Sequence, residues 1–327
     1  MLIKQLLDKY PFVIDFFNQY QMEFNDYNID INQYIDSLTY DYLETYSITK
    51  QELKQYLKDY IVNMNEFLNN IVVEKIESLT ILPGLNKNKE TENYENLVLK
   101  PSDLIAIVGS TGSGKSRLLA DIEYLANKDS ITNRQILINN ELPNPKLRFN
   151  IHNKLVAQLS QNMNFVIDIT VYEFLKLHAE SRNINNPKLL DKIIKQANNL
   201  AGEPFDANTP VTSLSGGQSR ALMISDTALL SPSPIVLIDE IENAGINKLK
   251  ALELLRSNDK IVLMATHDPI LCLSADSRIV IQNGGISSII KTSEQEKLLL
   301  NELMIQDAYI TNLRTKIRQG ESLTKAN

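Results

Sequence analysis

A single cysteine, Cys272, stands among 327 residues. One thiol cannot build a disulfide framework or a cysteine-rich metal site. Three histidines, His152, His178 and His267, are too few for a multi-histidine metal centre. No apolar run approaches the roughly 20 residues that cross a bilayer, and the amphipathic, soon acidic start does not read as a signal peptide. Glycine and proline, 11 of each, are too sparse for a long disordered tract. These absences leave a globular chain, expected in the cytoplasm or peripherally at the inner face of a membrane. Any membrane-spanning part must come from another chain.

Basic charge is scarce where the chain begins. Residues 1–70 hold five lysines, no arginine and eleven acids, although the whole chain is only at −7. Phosphate contacts need Lys and Arg, so no nucleic acid is expected as a partner. The same segment carries nine of the thirteen tyrosines. Leu2, Ile3, Leu6, Leu7 and Tyr10 recur at helical spacing, and Pro11 fits the first turn of a second helix bearing Phe12, Val13, Phe16, Phe17 and Tyr20. One helix from Ile31 is expected to bury Tyr34, Ile35, Leu38 and Tyr42. Thr49 and Glu52 form a capping box that opens another. Residues 1–70 therefore read as a small all-α domain whose aromatics make its core.

From residue 71 to about 290 strands and helices alternate. Strands are expected over 71–82, 104–108, 135–138, 154–159, 235–238, 260–265 and 278–281, with a polar loop at 86–93. Several are β-branched runs without a polar face, as in a parallel sheet covered on both sides. Directly after the apolar run at 104–108 comes Gly109-Ser110-Thr111-Gly112-Ser113-Gly114-Lys115-Ser116. This is the phosphate-binding loop. Its glycines let the backbone curl so that N–H groups point at phosphate oxygens. The helix that follows from Arg117 adds its positive end to that site. Lys115 is placed to reach the β- and γ-phosphates, and the Ser116 hydroxyl to ligate Mg²⁺.

A second apolar run, Ile235-Val236-Leu237-Ile238, ends in Asp239-Glu240. Ligands of such sheets bind at the carboxyl ends of strands. Asp239 is suited to hold the metal through water, and Glu240 to polarise an attacking water. About twenty residues upstream lies Leu214-Ser215-Gly216-Gly217-Gln218, opening a helical stretch over 219–230.

These elements together resemble the ATP-binding cassette family, of which LSGGQ is the signature. The resemblance covers roughly residues 71–290. It implies a P-loop α/β fold: a mostly parallel sheet flanked by helices, with added antiparallel strands and a helical subdomain at about 165–213. It implies an Mg-dependent ATPase with ATP and Mg²⁺ as ligands, working as a head-to-tail homodimer. In that dimer Ser215, Gly216, Gly217 and Gln218 of one copy close over the γ-phosphate held by the other. His267, after the strand at 260–265, matches the switch histidine of the family. Gln161, nine residues before Thr170-Val171, matches its metal-sensing glutamine, with Gln158 as the alternate.

Two departures stand out. After Glu240 the chain reads Ile241-Glu242-Asn243-Ala244-Gly245-Ile246-Asn247, with Asn247 where similar cassettes carry aspartate. No aromatic residue obviously stacks on adenine, and Tyr94 is the nearest candidate. The extra domain at 1–70 favours a soluble ATPase that remodels or activates a protein partner. The alternative is the ATP-binding subunit of a transporter whose permease is a separate chain. A DNA-organising role is disfavoured, because no long heptad array interrupts the cassette between Ser116 and Leu214.

Residues 291–327 form a helix and tail. Ser293 and Glu296 make a capping box, and Leu299, Leu303, Gln306, Ile310, Leu313 and Ile317 follow at spacings of four and three. A helix lying along its own domain is the expectation here, and a dimerising or docking helix the alternative.

Overall fold

The computed structural model describes residues 1–24, 26–69 (backbone only for 65–69), 76–144, 148, 154–160, 165–182, 184–241 and 245–323. The chain divides into two compact units, Met1–Glu74 and Lys75–Asn327.

The first unit is helical: α1 Ile3–Lys9, α2 Val13–Gln19, α3 Ile31–Ser37, α4 Tyr40–Thr45 and α5 Lys50–Asn69. Ile3, Leu6, Val13, Phe16, Phe17, Ile35, Leu53 and Leu57 are buried together. Tyr34, Tyr42 and Tyr60 pack against this core with their hydroxyls on backbone carbonyls, as Tyr34 donates to Glu23 O at 2.9 Å. The Thr49–Glu52 capping box forms in both directions, at 2.8 and 3.2 Å. The single helix expected from Ile31 is two. Leu38 turns extended (ψ 139°) and Thr39 caps α4 by accepting from Tyr42 N. Leu38 and Tyr42 still both pack against the core.

The second unit is built on a six-stranded sheet in the order β5-β6-β7-β3-β8-β9. Its strands are β3 Leu104–Val108, β5 Val156–Leu159, β6 Ile235–Asp239, β7 Ile261–Ala265, β8 Ser277–Gln282 and β9 Gly285–Lys291. All neighbours are parallel except β8 and β9. A smaller antiparallel sheet joins β1 Leu79–Leu82 to β2 Leu97–Leu99 and β4 Gln135–Ile138. Of the strand expected over 71–82 only the end at 79–82 is strand, and residues 71–75 lie outside the described set. Strands β2 and β9 escape the periodicity argument. The first is only three residues long, and the second lies at the sheet edge with both polar and apolar faces. The hairpin had a legible signal nonetheless. Asn283-Gly284, both at positive φ (48° and 80°), form the two-residue turn that joins β8 to β9.

Helices cover both faces: α6 Lys115–Glu123, α7 Val171–Glu180, α8 Pro187–Leu200, α9 Gly216–Leu229, α10 Lys248–Arg256 and α11 Pro269–Ser274. One apolar cluster lies under α7, α8, α9 and α10 and another between α6 and the two sheets. The last helix, α12 Glu294–Arg318, follows its own domain only at its start, where Leu299 and Leu303 line a groove with Pro269 and Leu273 of α11. None of its residues is buried. Its capping box forms, and Glu296 anchors its first turn to Arg278 Nη2 at 2.6 Å.

Candidate functional site

The parallel register sets the site. In β7, which lies between β6 and β3, Ala265 pairs with Asp239 on one side and with Ile107 on the other. The three strands therefore end on one row. Their continuations, Glu240, Thr266-His267 and Val108-Gly109, emerge along one edge of the sheet, the edge where parallel sheets receive ligands.

After β3 the loop 109–114 turns tightly into α6. Gly112 and Gly114 sit at φ 76° and 116°. A Cβ on Gly109 would meet Ile281 O and the Ser113 hydroxyl, both at 2.6 Å. The loop is held from outside: Gly284 N donates to Ser113 O at 2.7 Å, and Lys87 Nζ donates to Gly112 O at 3.0 Å. Lys115 Nζ donates to Gly109 O at 2.7 Å and lies 3.2 Å from His267 Nε2. Ser116 and Arg117, in the first turn of α6, are exposed, as are Ser110 and Thr111.

This cradle fits a triphosphate and magnesium on its own chemistry. The Ser113 hydroxyl is buried with no hydrogen-bond partner, so the cradle holds a polar group left over by the protein's own contacts. Ser116 and Asp239 offer the hard oxygen donors that Mg²⁺ takes. Among the described residues no separate cluster of His, Cys, Asp or Glu could hold a metal ion.

Glu240 follows β6 in the left-handed region (φ 49°), with its N–H donating to Ala265 O at 3.1 Å. Such a conformation in a non-glycine residue costs on the order of 1–3 kcal/mol, is maintained by its surroundings, and clusters at functional sites. Thr266 is fully buried, and its hydroxyl accepts from Asp268 N at 3.0 Å. Asp268 caps α11 and pairs with Lys248 at 2.6 Å, which fixes the turn that carries His267.

The signature turn belongs to the helical layer. Ser215 is the N-cap of α9. Its Oγ accepts from Gln218 N at 3.3 Å, and its N–H donates to Gln218 Oε1 at 2.9 Å. Gln218 Nε2 reaches Glu203 O, and Gly217 neighbours Gly245. Ser215 and Gly216 are exposed, with open space around Gly216. Nearby, Asn247 caps α10, accepting from Lys250 N at 3.0 Å. Asparagine caps a helix as well as aspartate does, so the departure at this position preserves the local structure.

Of the two glutamines, Gln161 lies outside the described residues. Gln158 is exposed in β5 opposite Leu237, two rows before Asp239. Tyr94, expected as the adenine-stacking residue, packs instead against the cluster between the sheets, beside Glu92 and Arg134. Burial, with the Glu92 carboxylate adding to it, pushes its phenol well above the ordinary range. The residue of that segment that reaches the phosphate loop is Lys87, which nothing in its polar sequence context marked out.

Behind the loop lies a buried ion cluster that sequence reasoning also missed. The Arg134 side chain is fully buried. It pairs with Glu92 and, at 2.7 Å, with Asp121 of α6. Glu92 also accepts from Gly84 N and Ile286 N. The cluster ties α6 and the β8–β9 turn to one another, and that turn is what Gly114 rests against.

With this geometry in hand, the chain can be compared with known proteins. The profile of a family described as ABC transporter matches residues 93–243. An uncharacterised ABC transporter ATP-binding protein of Methanocaldococcus jannaschii is 49% identical over 250 residues, which are 76% of this chain and 96% of that protein. An energy-coupling factor transporter ATP-binding protein of onion yellows phytoplasma is 27% identical over 236 residues, 71% of this chain and 82% of its own length. Among solved structures, an ATP-binding subunit of an ABC transporter superposes with a TM-score of 0.51 at 18% identity, covering 70% of this chain and 98% of the other. CbiO1 of Clostridium perfringens superposes with a TM-score of 0.50 at 20% identity, covering 74% and 100%. At these identities the structures speak to the fold alone. The sequence matches go further: the chain belongs to the ATP-binding cassette family and is an Mg-dependent ATPase that binds ATP.

Proposed function

We propose that this chain is the ATP-hydrolysing subunit of a membrane transporter whose membrane-spanning part is a separate chain, and that two copies close head to tail around ATP. The observation that carries the site is the common row of Ile107, Ala265 and Asp239, which collects the phosphate loop, Glu240 and His267 at one edge. The transporter reading rests on the relatives named above, which are ATP-binding proteins of transporters. It replaces the soluble remodelling role expected from the extra helical unit, because no relative reported above carries such a role. No described helix is long and apolar enough to cross a membrane, consistent with a separate permease.

In this reading residues 109–114 cradle the β- and γ-phosphates, with the start of α6 at Arg117 adding its positive end. Lys115 offsets charge on the γ-phosphate. Ser116, Asp239 and Gln161 hold magnesium, which when bound neutralises phosphate charge. Glu240 accepts a proton from the attacking water, and His267 hydrogen-bonds the γ-phosphate and orients that water. Ser215, Gly216, Gly217 and Gln218 of the second copy approach from the other side. The exposed Ser215 turn and the open space at Gly216 suit that approach. Closure completes the site, so hydrolysis is coupled to opening, and that motion works on the permease.

The test is affinity capture of the chain from membranes of its native source, solubilised in mild detergent. A polytopic membrane protein should co-purify in stoichiometric amount. Recovery of soluble enzymes alone would overturn the transporter reading.

A further inference from the structure

We infer that α12 is a dimerisation helix: it pairs in antiparallel fashion with α12 of a second copy of this chain, independently of nucleotide. The helix runs for 25 residues and none is buried. Leu299, Leu303, Gln306, Ile310, Leu313 and Ile317 form a stripe along it at spacings of four and three, the seam of a two-stranded coil. Leu299, Ile310 and Ile317 are 47%, 45% and 58% exposed, and Tyr309 on the flank is 61% exposed. At ~1.5 Å per residue the stripe spans about 27 Å. Leu303 and Leu313 are half-buried, and an apolar stripe of that length with most of its residues open to water marks an interaction surface.

Charge selects the partner and its direction. One flank of the stripe carries Glu302, Tyr309 and Lys316, and the other Leu300, Asp307 and Arg314. In a parallel pair Glu302 of each helix faces Asp307 of the other, two like-charge contacts. In an antiparallel pair Leu303 meets Leu313 of the second copy, Gln306 meets its Ile310, and Glu302 faces its Lys316 at both ends. At the centre Tyr309 and Asp307 each face their own copy, and Asp307 is the one like-charge contact. Two attractive ends against one central repulsion favour the antiparallel pair. The charges are self-complementary because both lie on the same helix, a pattern that fits a second copy of this chain. The far end of the second helix, at Ile317, then lies by a groove of about 510 Å³ that runs from Leu299 and Leu303 past Pro269 and Leu273 of α11 to Ser110 and His267 at the phosphate loop.

Three heptads with a central glutamine make a weak seam, so a dissociation constant of about micromolar order is expected. The test is sedimentation equilibrium of the full chain without nucleotide, repeated in the Lys115→Ala background so that nucleotide-driven closure cannot contribute. Ile310→Asp should weaken the dimer about tenfold or more, because an ion replaces an apolar seam residue. Glu302→Lys should weaken it, Glu302→Lys with Lys316→Glu should restore it, and Asp307→Asn should tighten it. All these positions are exposed, and circular dichroism checks that each variant folds. A chain that stays monomeric to about 100 μM, a hundredfold above the expected constant, would overturn the inference. So would a dimer indifferent to Ile310→Asp, or a double charge reversal that fails to restore pairing. None of these outcomes touches the transporter reading, which membrane capture and ATPase assays address separately.

Discussion

Nζ of Lys115 lies 3.2 Å from Nε2 of His267, although 152 residues separate them in the chain. The parallel pairing of β3 with β7 creates this proximity. Ile107 and Ala265 are in register, so Gly109 and His267, each two residues further along, emerge side by side. A cation and a ring nitrogen so placed can grip one phosphoryl group from two sides.

The two residues should fail differently when removed. Lys115→Ala is expected to reduce ATP affinity by about a hundredfold, since a charge-assisted phosphate contact is lost. His267→Ala should leave ATP affinity little changed and lower turnover by about 10²–10³-fold, as for loss of one transition-state donor. Equilibrium binding of a fluorescent ATP analogue and a phosphate-release assay separate the two.

Glu240 is expected to act in chemistry and not in binding. Glu240→Gln keeps size and hydrogen bonding but cannot accept the proton, so turnover should fall by about 10²–10⁴-fold with ATP still bound. Gel filtration with ATP should then show a trapped dimer. Undiminished turnover would remove Glu240 from the mechanism.

The Ser215 cap offers a way to separate folding from function. Ser215→Ala loses the cap of α9 and should cost about 1 kcal/mol of stability. Ser215→Asp retains a good cap but sets a negative charge where the second copy's phosphates approach. It should melt like the parent, yet lose ATP-dependent dimerisation in the Glu240→Gln background.

Arg134 should prove indispensable to the scaffold. Its replacement by Met strands the buried carboxylates of Glu92 and Asp121, and breaking such a network costs about 3–5 kcal/mol. The melting temperature should drop, and the loop beside Gly284 should lose nucleotide affinity with it. A variant that melts like the parent would show that the cluster is dispensable.

Lys260 gives a pH signature. Burial, with Arg182 nearby, pushes its ammonium down to about 8 from an ordinary 10.5, while its Nζ donates to Ser231 O and Ser233 O. Between these values the unfolded chain still holds a proton that the folded chain has released. This residue therefore makes stability rise with pH across that window, and its contribution is flat below about 8. Urea denaturation of Lys260→Met across the same range should lack that upward slope relative to the parent.

The stretches proposed to carry the chemistry are short and contiguous, and their local form was legible without coordinates. Gly109–Ser116, Asp239-Glu240 and the Ser215 turn each owe their local form to neighbours in sequence: a strand, a glycine at positive φ, a serine capping its own helix. The parallel strands were legible for a similar reason, since burial on both faces leaves an unbroken apolar run. Three features were not. Lys87 and Arg134 act through side chains that meet groups 13 to 150 residues away, and a lysine in a polar loop or an arginine before a strand looks like any solvated cation. The exposure of α12 was equally hidden. A heptad stripe shows that a helix has an apolar face, but only the arrangement of the other elements decides whether something in the same chain covers it. Residue order dictates what each segment can bind or bury; which segments meet depends on long-range register and packing, and those are properties of the folded whole.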